Sequence, residues 1–134
     1  MKKLGILFVL FIGITLYSCE YKVIEPIEIV LPPPPAGGYS FATDIEPILT
    51  KDDCTGCHSS SNALDFTASD IYEQVTTETT VGSFGSAGLS YINETTPDQS
   101  PLILIPTGED GHPSLLSPTE VALMVAWITD GAKE

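Results

Sequence analysis

Cys54-Thr55-Gly56-Cys57-His58 governs the reading of the whole chain. Two thiols three positions apart, with an imidazole directly after the second, form a complete CxxCH. On one helical turn such thiols reach two neighbouring vinyl groups of a porphyrin and bond to them as thioethers. The adjoining imidazole then turns beneath the iron and supplies an axial bond. Thr55 and Gly56 are small enough to stay clear of the porphyrin edge. The spacing therefore predicts one covalently attached haem c on Cys54, Cys57 and His58, with His58 as an iron ligand. Thioether attachment also retains the cofactor where free haem would be lost by dilution.

Other uses of the same residues fit less well. A thioredoxin-like CxxC expects a βαβ setting, and no such alternation of strand and helix patterns flanks the motif. Zinc could take both thiols and both histidines, but a histidine adjoining the second cysteine is poor geometry for a finger.

The sixth iron position has three candidates. Only two histidines exist, so His112 is the one imidazole outside the motif. It lies in the Gly108–Pro118 loop, where Gly111 and Pro113 let the backbone approach the second haem face. Met124, the only methionine beyond Met1, falls on the apolar stripe of the last helix, where core packing competes with ligation. An open or water-bound iron is the third. The choice sets the chemistry: two imidazoles give a lower potential than histidine with thioether. A closed, six-coordinate iron suits electron transfer, and an open one suits gas or peroxide chemistry. No further acid, base or arginine is placed to support the latter, so an electron carrier rather than an enzyme is expected.

Working outward, residues 1–18 read as a signal peptide. Lys2 and Lys3 precede an apolar run, Leu4–Leu16, too short for a confident membrane span. Leu16-Tyr17-Ser18-Cys19 resembles a bacterial lipoprotein cleavage box, which makes Cys19 the expected lipidated first residue of an exported chain. Acyl chains contributing about 0.8 kcal/mol per buried methylene would anchor it to a bacterial membrane, on the periplasmic or cell-surface side. Residues 19–39 then form the lipidated terminus and a tether, in which Pro32–Pro35 favour an extended arm and Gly37-Gly38 a joint. The alternating stretch Lys22–Leu31 could instead pair as a strand, with another copy of the chain among the possible partners.

Residues 40–134 are the expected domain, about 95 residues, which is slight for an independent apolar core. A buried haem would supply much of the missing apolar surface. The pattern is all-α with long loops. Phe41, Ile45, Ile48 and Leu49 share a helical face, and Pro47 is comfortable if that helix starts near Asp44. Residues 67–75 read as a helix capped at Thr67, with Ile71 and Val75 inward. Residues 76–99 read as a long loop pinned by Tyr91 and Ile92. Ser100-Pro101 opens a short helix ended by Pro106. Ser117-Pro118-Thr119-Glu120 is a capping box for a final helix stopped by Gly131. Its inward residues are Val121, Met124, Val125 and Ile128, beside a Leu123–Trp127 pair.

Charge narrows the partners. Beyond residue 18 the chain carries 18 acidic residues against Lys22, Lys51 and Lys133, a formal charge of −15. That excludes nucleic acid, whose phosphates need clustered cations. It suits a basic redox protein as partner, or repulsion from an anionic surface.

Several blocks together resemble a small exported cytochrome c domain of the planctomycete and Bacteroidetes type. They are Phe41–Leu49, CTGCH at 54–58, Leu64-Asp65-Phe66, Ser100-Pro101-Leu102, and Leu116–Glu120 running into Trp127-Ile-Thr-Asp-Gly-Ala132. The resemblance covers nearly all of residues 41–132. It implies a cytochrome c-like helical fold in which the first and last helices cross beside one haem, with Ile45 and Leu49 meeting the Trp127 face. It implies electron transfer, often within a larger redox system. Many members carry a methionine-proline pair before the last helix; here His112-Pro113 stands there, which favours bis-histidine ligation. The remaining alternative is a haem-stabilised structural or partner-binding module, which the 76–99 loop and the tether would suit.

Overall fold

The computed structural model describes residues 28–60, 62, 64–80, 88–108 and 111–134. The expected signal peptide, Cys19 and residues 81–87 of the long loop lie outside them. Among the described residues the chain is all-α: five short helices and one isolated antiparallel bridge, Thr79 to Ser90, with no sheet.

Helix α1 is a π-helical turn, Phe41–Ile45, that runs into an α-helical turn, Glu46–Leu49. Ser40 caps it: its hydroxyl accepts from the Thr43 amide at 3.3 Å, and its own amide donates to Asp44 Oδ2 at 2.9 Å. Winding thus begins at Phe41, not near Asp44. Pro47 explains the wider turn. It has no N–H for the Thr43 carbonyl, and its ring would crowd that carbonyl in a regular helix. The Glu46 amide reaching back to Phe41 carries the chain past the conflict.

Helix α2, Asp52–Thr55, carries the first half of the motif. Helix α3, Ile71–Thr77, starts four residues later than Thr67. Thr67 does not cap it, because its amide and hydroxyl turn back to Asp65 Oδ1 at 2.8 and 2.5 Å. An aspartate two residues back draws the hydroxyl of Thr67 away from the first-turn amides it would otherwise accept from. The loop is instead tied to α3 through Gln74, which accepts from the Asp65 amide and donates to Asp70 Oδ1, both at 2.8 Å.

Helix α4, Pro101–Leu104, passes into a 3-10 turn, Ile105–Thr107, so Pro106 tightens the winding without ending it. Tyr91 and Ile92 are buried as expected, and the Leu102 amide donates to Tyr91 oxygen at 3.0 Å. Helix α5, Pro118–Thr129, has the full reciprocal capping box of Ser117 and Glu120. At its other end the Ala132 amide reaches Trp127 oxygen and the Gly131 amide reaches Ile128 oxygen, both at 3.0 Å. This pair of bonds is a Schellman stop, and Gly131 takes the positive φ of 92° that it needs.

The core forms where α1, α3 and α5 meet. Trp127, Ile45 and Met124 are wholly buried. The Phe41 ring lies 5.4 Å from Tyr72, edge-on, and 5.7 Å from Trp127. The Phe41 amide and the Trp127 indole N–H both donate to the Lys133 carbonyl, at 3.0 and 2.7 Å. The two ends of the domain are therefore clasped together. Tyr39, assigned to the tether from sequence, is buried against this clasp, and its hydroxyl donates to Pro32 oxygen at 2.6 Å.

Candidate cofactor site

The motif is one continuous helical winding. Lys51 stands at the N-cap of α2, and its carbonyl accepts from the amides of Cys54 and Thr55, both at 2.9 Å. The amides of Cys57 and His58 then both return to the Cys54 carbonyl, at 3.1 and 2.8 Å. These bonds bring two thiols and an imidazole to one turn, as the spacing predicts. At Gly56 an added Cβ would come within 3.0 Å of the Asp52 carbonyl, so the turn is tight enough to favour glycine.

The two thiols differ. Both are free, but Cys54 is buried and Cys57 is exposed. Burial pushes the Cys54 thiol up; the Lys51 ammonium opposes this, while Asp53 and Glu120 add to it. Cys54 is thus held as a neutral thiol facing the core side.

His58 is oriented from two directions. Its ring stacks on Phe66 at 4.7 Å between centres, and its Nδ1 lies 3.2 Å from the Leu64 carbonyl. A carbonyl only accepts, so Nδ1 carries the proton and the lone pair sits on Nε2. Burial pulls the imidazole pKa down; the Leu64 carbonyl resists, and His112 adds to the fall. Neutral imidazole is the form that binds a metal.

His112 comes to the same place from the loop before α5. The loop turns on Gly108 and Gly111, at φ of 108° and 83°. The ring centre of His112 lies 6.3 Å from that of His58, with the planes at 33°. Its Nδ1 is 2.8 Å from the Pro113 carbonyl. Carbonyl support of the remote nitrogen is the usual way a ligating histidine is held.

These residues fit a haem. A metal–imidazole bond of about 2 Å puts a ring centre about 3 Å from the ion, so two rings sharing one ion stand at most about 6 Å apart, and the His58–His112 spacing of 6.3 Å lies at that limit. Among the described residues no three His, Cys, Asp or Glu side chains converge on a metal position. Two imidazoles would suit an ion whose remaining donors come from a macrocycle, and the two thiols would suit its attachment. Met124 sits in the core on α5, wholly buried. Cys19 lies outside the described residues.

Contacts across long separations were invisible in sequence. Lys51 forms an ion pair with Glu120, joining the N-cap of α2 to the first turn of α5. Glu120 also accepts from the Ser117 amide and hydroxyl, both at 2.8 Å. Burial raises its pKa, but the bonds from Lys51 and Ser117 outweigh that and leave it lowered. Phe66 and Leu64 were also unassigned, although the Leu64-Asp65-Phe66 block was conspicuous. A groove of about 560 Å³ lined by Tyr72, Leu89, Ile92, Glu94 and Ala132 includes neither cysteine nor either histidine of the site.

No helix among the described residues is long and apolar enough to cross a membrane. No family model, curated protein or solved structure matches the chain. What is established is a small all-helical domain bearing a CxxCH consistent with a haem-binding, redox role.

Proposed function

We propose that this chain is a monohaem c-type cytochrome, tethered to a membrane through lipid on Cys19, that passes electrons between redox proteins outside the cytoplasm. One observation carries the proposal: a CxxCH wound into a single turn, with both thiols free and the histidine ring oriented by Phe66 and the Leu64 carbonyl. When bound, the haem supplies a one-electron iron couple. Cys54 and Cys57 would hold it covalently, and His58 and His112 would bind its iron. Phe66 and the Leu64 carbonyl fix the ring of His58, and the Pro113 carbonyl fixes that of His112.

A pair of held imidazoles supports carriage over catalysis. Ligands fixed in advance change little with oxidation state, which favours outer-sphere transfer. They also exclude other molecules from the metal. Two nitrogen ligands set a lower potential than histidine and methionine would.

Expression in a bacterial host able to attach haem tests this directly. The expected product is red, retains haem through denaturing electrophoresis, gives a low-spin spectrum and responds slowly to carbon monoxide. A colourless protein would end the haem assignment, and rapid carbon monoxide binding would end the closed-iron one.

A further inference from the structure

The loop after the motif grips His58 from three sides. The Phe66 amide donates to the His58 carbonyl at 3.0 Å, the Phe66 ring stacks on the imidazole, and the Leu64 carbonyl faces Nδ1 at 3.2 Å. That carbonyl shares one peptide group with the Asp65 amide. A trans peptide is planar and points its C=O and N–H in opposite directions, so whatever holds one edge aims the other. The Asp65 N–H donates to Gln74 Oε1 at 2.8 Å. On the other side of the Gln74 amide, Nε2 donates to Asp70 Oδ1 at 2.8 Å. The amide cannot be reversed: a backbone N–H only donates and a carboxylate only accepts. Gln74 is itself buried, between Ile71 and Val75 on the inward side of α3. An apolar side chain there would carry no desolvation cost, whereas an amide is tolerated only with its partners in place.

Resting on the haem attachment proposed above and deepening it, we infer that Gln74 is a positioning residue for the iron ligand. Through the Leu64–Asp65 peptide it strengthens the hydrogen bond to His58 Nδ1 and so lowers the reduction potential of the bound haem. Bonds in such a chain polarise one another. Gln74 Oε1 draws on the Asp65 N–H and leaves more negative charge on the Leu64 oxygen. That oxygen draws in turn on the Nδ1 proton, which makes Nε2 the stronger donor to a metal. A more basic axial ligand favours ferric over ferrous iron. Reduction adds one electron to the iron, and no bond in this chain forms or breaks.

The test compares full-length, haem-loaded parent with two variants. Gln74→Met keeps the length and apolar volume and removes the acceptor; Gln74→Glu keeps an oxygen facing the Asp65 amide. Each is poised with mediators at the parent's midpoint potential. The ferrous-to-ferric ratio of Gln74→Met should exceed the parent's at least threefold, about 28 mV at about 59 mV per tenfold for one electron. That of Gln74→Glu should equal the parent's or fall below it. Val75→Ala trims the wholly buried neighbour on the same helix and should lower stability while leaving the ratio within about 1.5-fold. An unchanged or lowered ratio in Gln74→Met, or an equal rise in Val75→Ala, would overturn the relay and leave Gln74 a tie for the loop alone. In the diamagnetic ferrous state the Asp65 amide should exchange with solvent at least tenfold faster in Gln74→Met; an unaltered rate would also overturn the relay. If Gln74→Met does not accumulate, Gln74→Glu decides: a ratio at or below the parent's supports the relay, and a raised one overturns it. A parent without covalent haem has no iron couple to measure and fails the haem reading instead, so the two failures are told apart.

Discussion

The clasp where α1 and α5 meet and the pair of loops that bring His58 to His112 are built on different terms. The clasp is closed by the chain's own side chains: Trp127, Ile45 and Met124 have no exposure, and two donors converge on one carbonyl. The motif end is half open. Cys57 is exposed, while His58, His112, Leu115 and Leu116 are half-buried. Buried side chains and a shared backbone carbonyl hold the first region. In the second, backbone carbonyls and the Phe66 ring aim the imidazoles, which themselves stay half-buried.

Breaking the clasp should have the largest effect. Trp127→Ala removes the largest wholly buried side chain and a donor to Lys133. Such a truncation costs about 3–5 kcal/mol, a large share of a small domain's stability. Urea unfolding of holoprotein should show most of that loss, or the variant should fail to accumulate. A midpoint close to that of the parent would mean that the motif end, not the clasp, holds the fold.

The opposite substitution sharpens the contrast. His112→Ala should leave haem covalently attached and the helical content unchanged, yet convert low-spin iron to high-spin and admit carbon monoxide. Its cost in stability should be well below that of the tryptophan change, because the ring is half-buried. An unaltered spectrum would reject His112 as a ligand and return attention to Met124.

The two regions also differ in how far they could be read from sequence. The capping box and the Gly131 stop are local signals, each decided within one or two helical turns, and both appear as read; of the helix face, Met124, Trp127 and Ile128 are buried, whereas Val121 and Val125, read as inward, are half-buried. The CxxCH turn is equally local. The errors came where two local signals competed. The pattern at Thr67 is that of a cap, but its hydroxyl turns to Asp65, and Pro47 has the pattern of a helix start, but a wider turn absorbs it. Contacts such as Lys51 with Glu120, or Phe66 on His58, depend on how loops close. No spacing rule encodes them. The approach of His112 to His58 was suggested by the scarcity of histidines, by Gly111 and Pro113 beside it and by the place of His112-Pro113 in the resemblance, and its 6.3 Å spacing comes from the fold.

A smaller effect tests the start of α5. Ser117→Ala removes the hydroxyl that accepts from the Glu120 amide at 3.3 Å and donates to its carboxylate at 2.8 Å. Loss of an N-cap costs about 1 kcal/mol. Thermal unfolding should show this with the iron spectrum intact, since the cap serves the helix and not the ligand. A change in spin state would show that the helix start and the His112 loop move together.

The weakest predicted effect joins the two regions through Lys51 and Glu120. Exposed pairs contribute roughly 0–1 kcal/mol, and this one is only partly sheltered. Its sign with pH is nevertheless defined. Although burial raises it, the folded-state pKa of Glu120 is lowered by Lys51 and Ser117. Its contribution is therefore present above the ordinary glutamate value of about 4.3 and is lost as pH falls through the lower folded value. Lys51→Met removes one of the groups that lower it, so the acid loss should begin at higher pH than in the parent. The stability gap between the two proteins should be greatest near neutrality and close once Glu120 is protonated in both. If the gap persists unchanged at the acid end, Lys51 acts by packing beside Cys54 and the ion pair is not what ties α2 to α5.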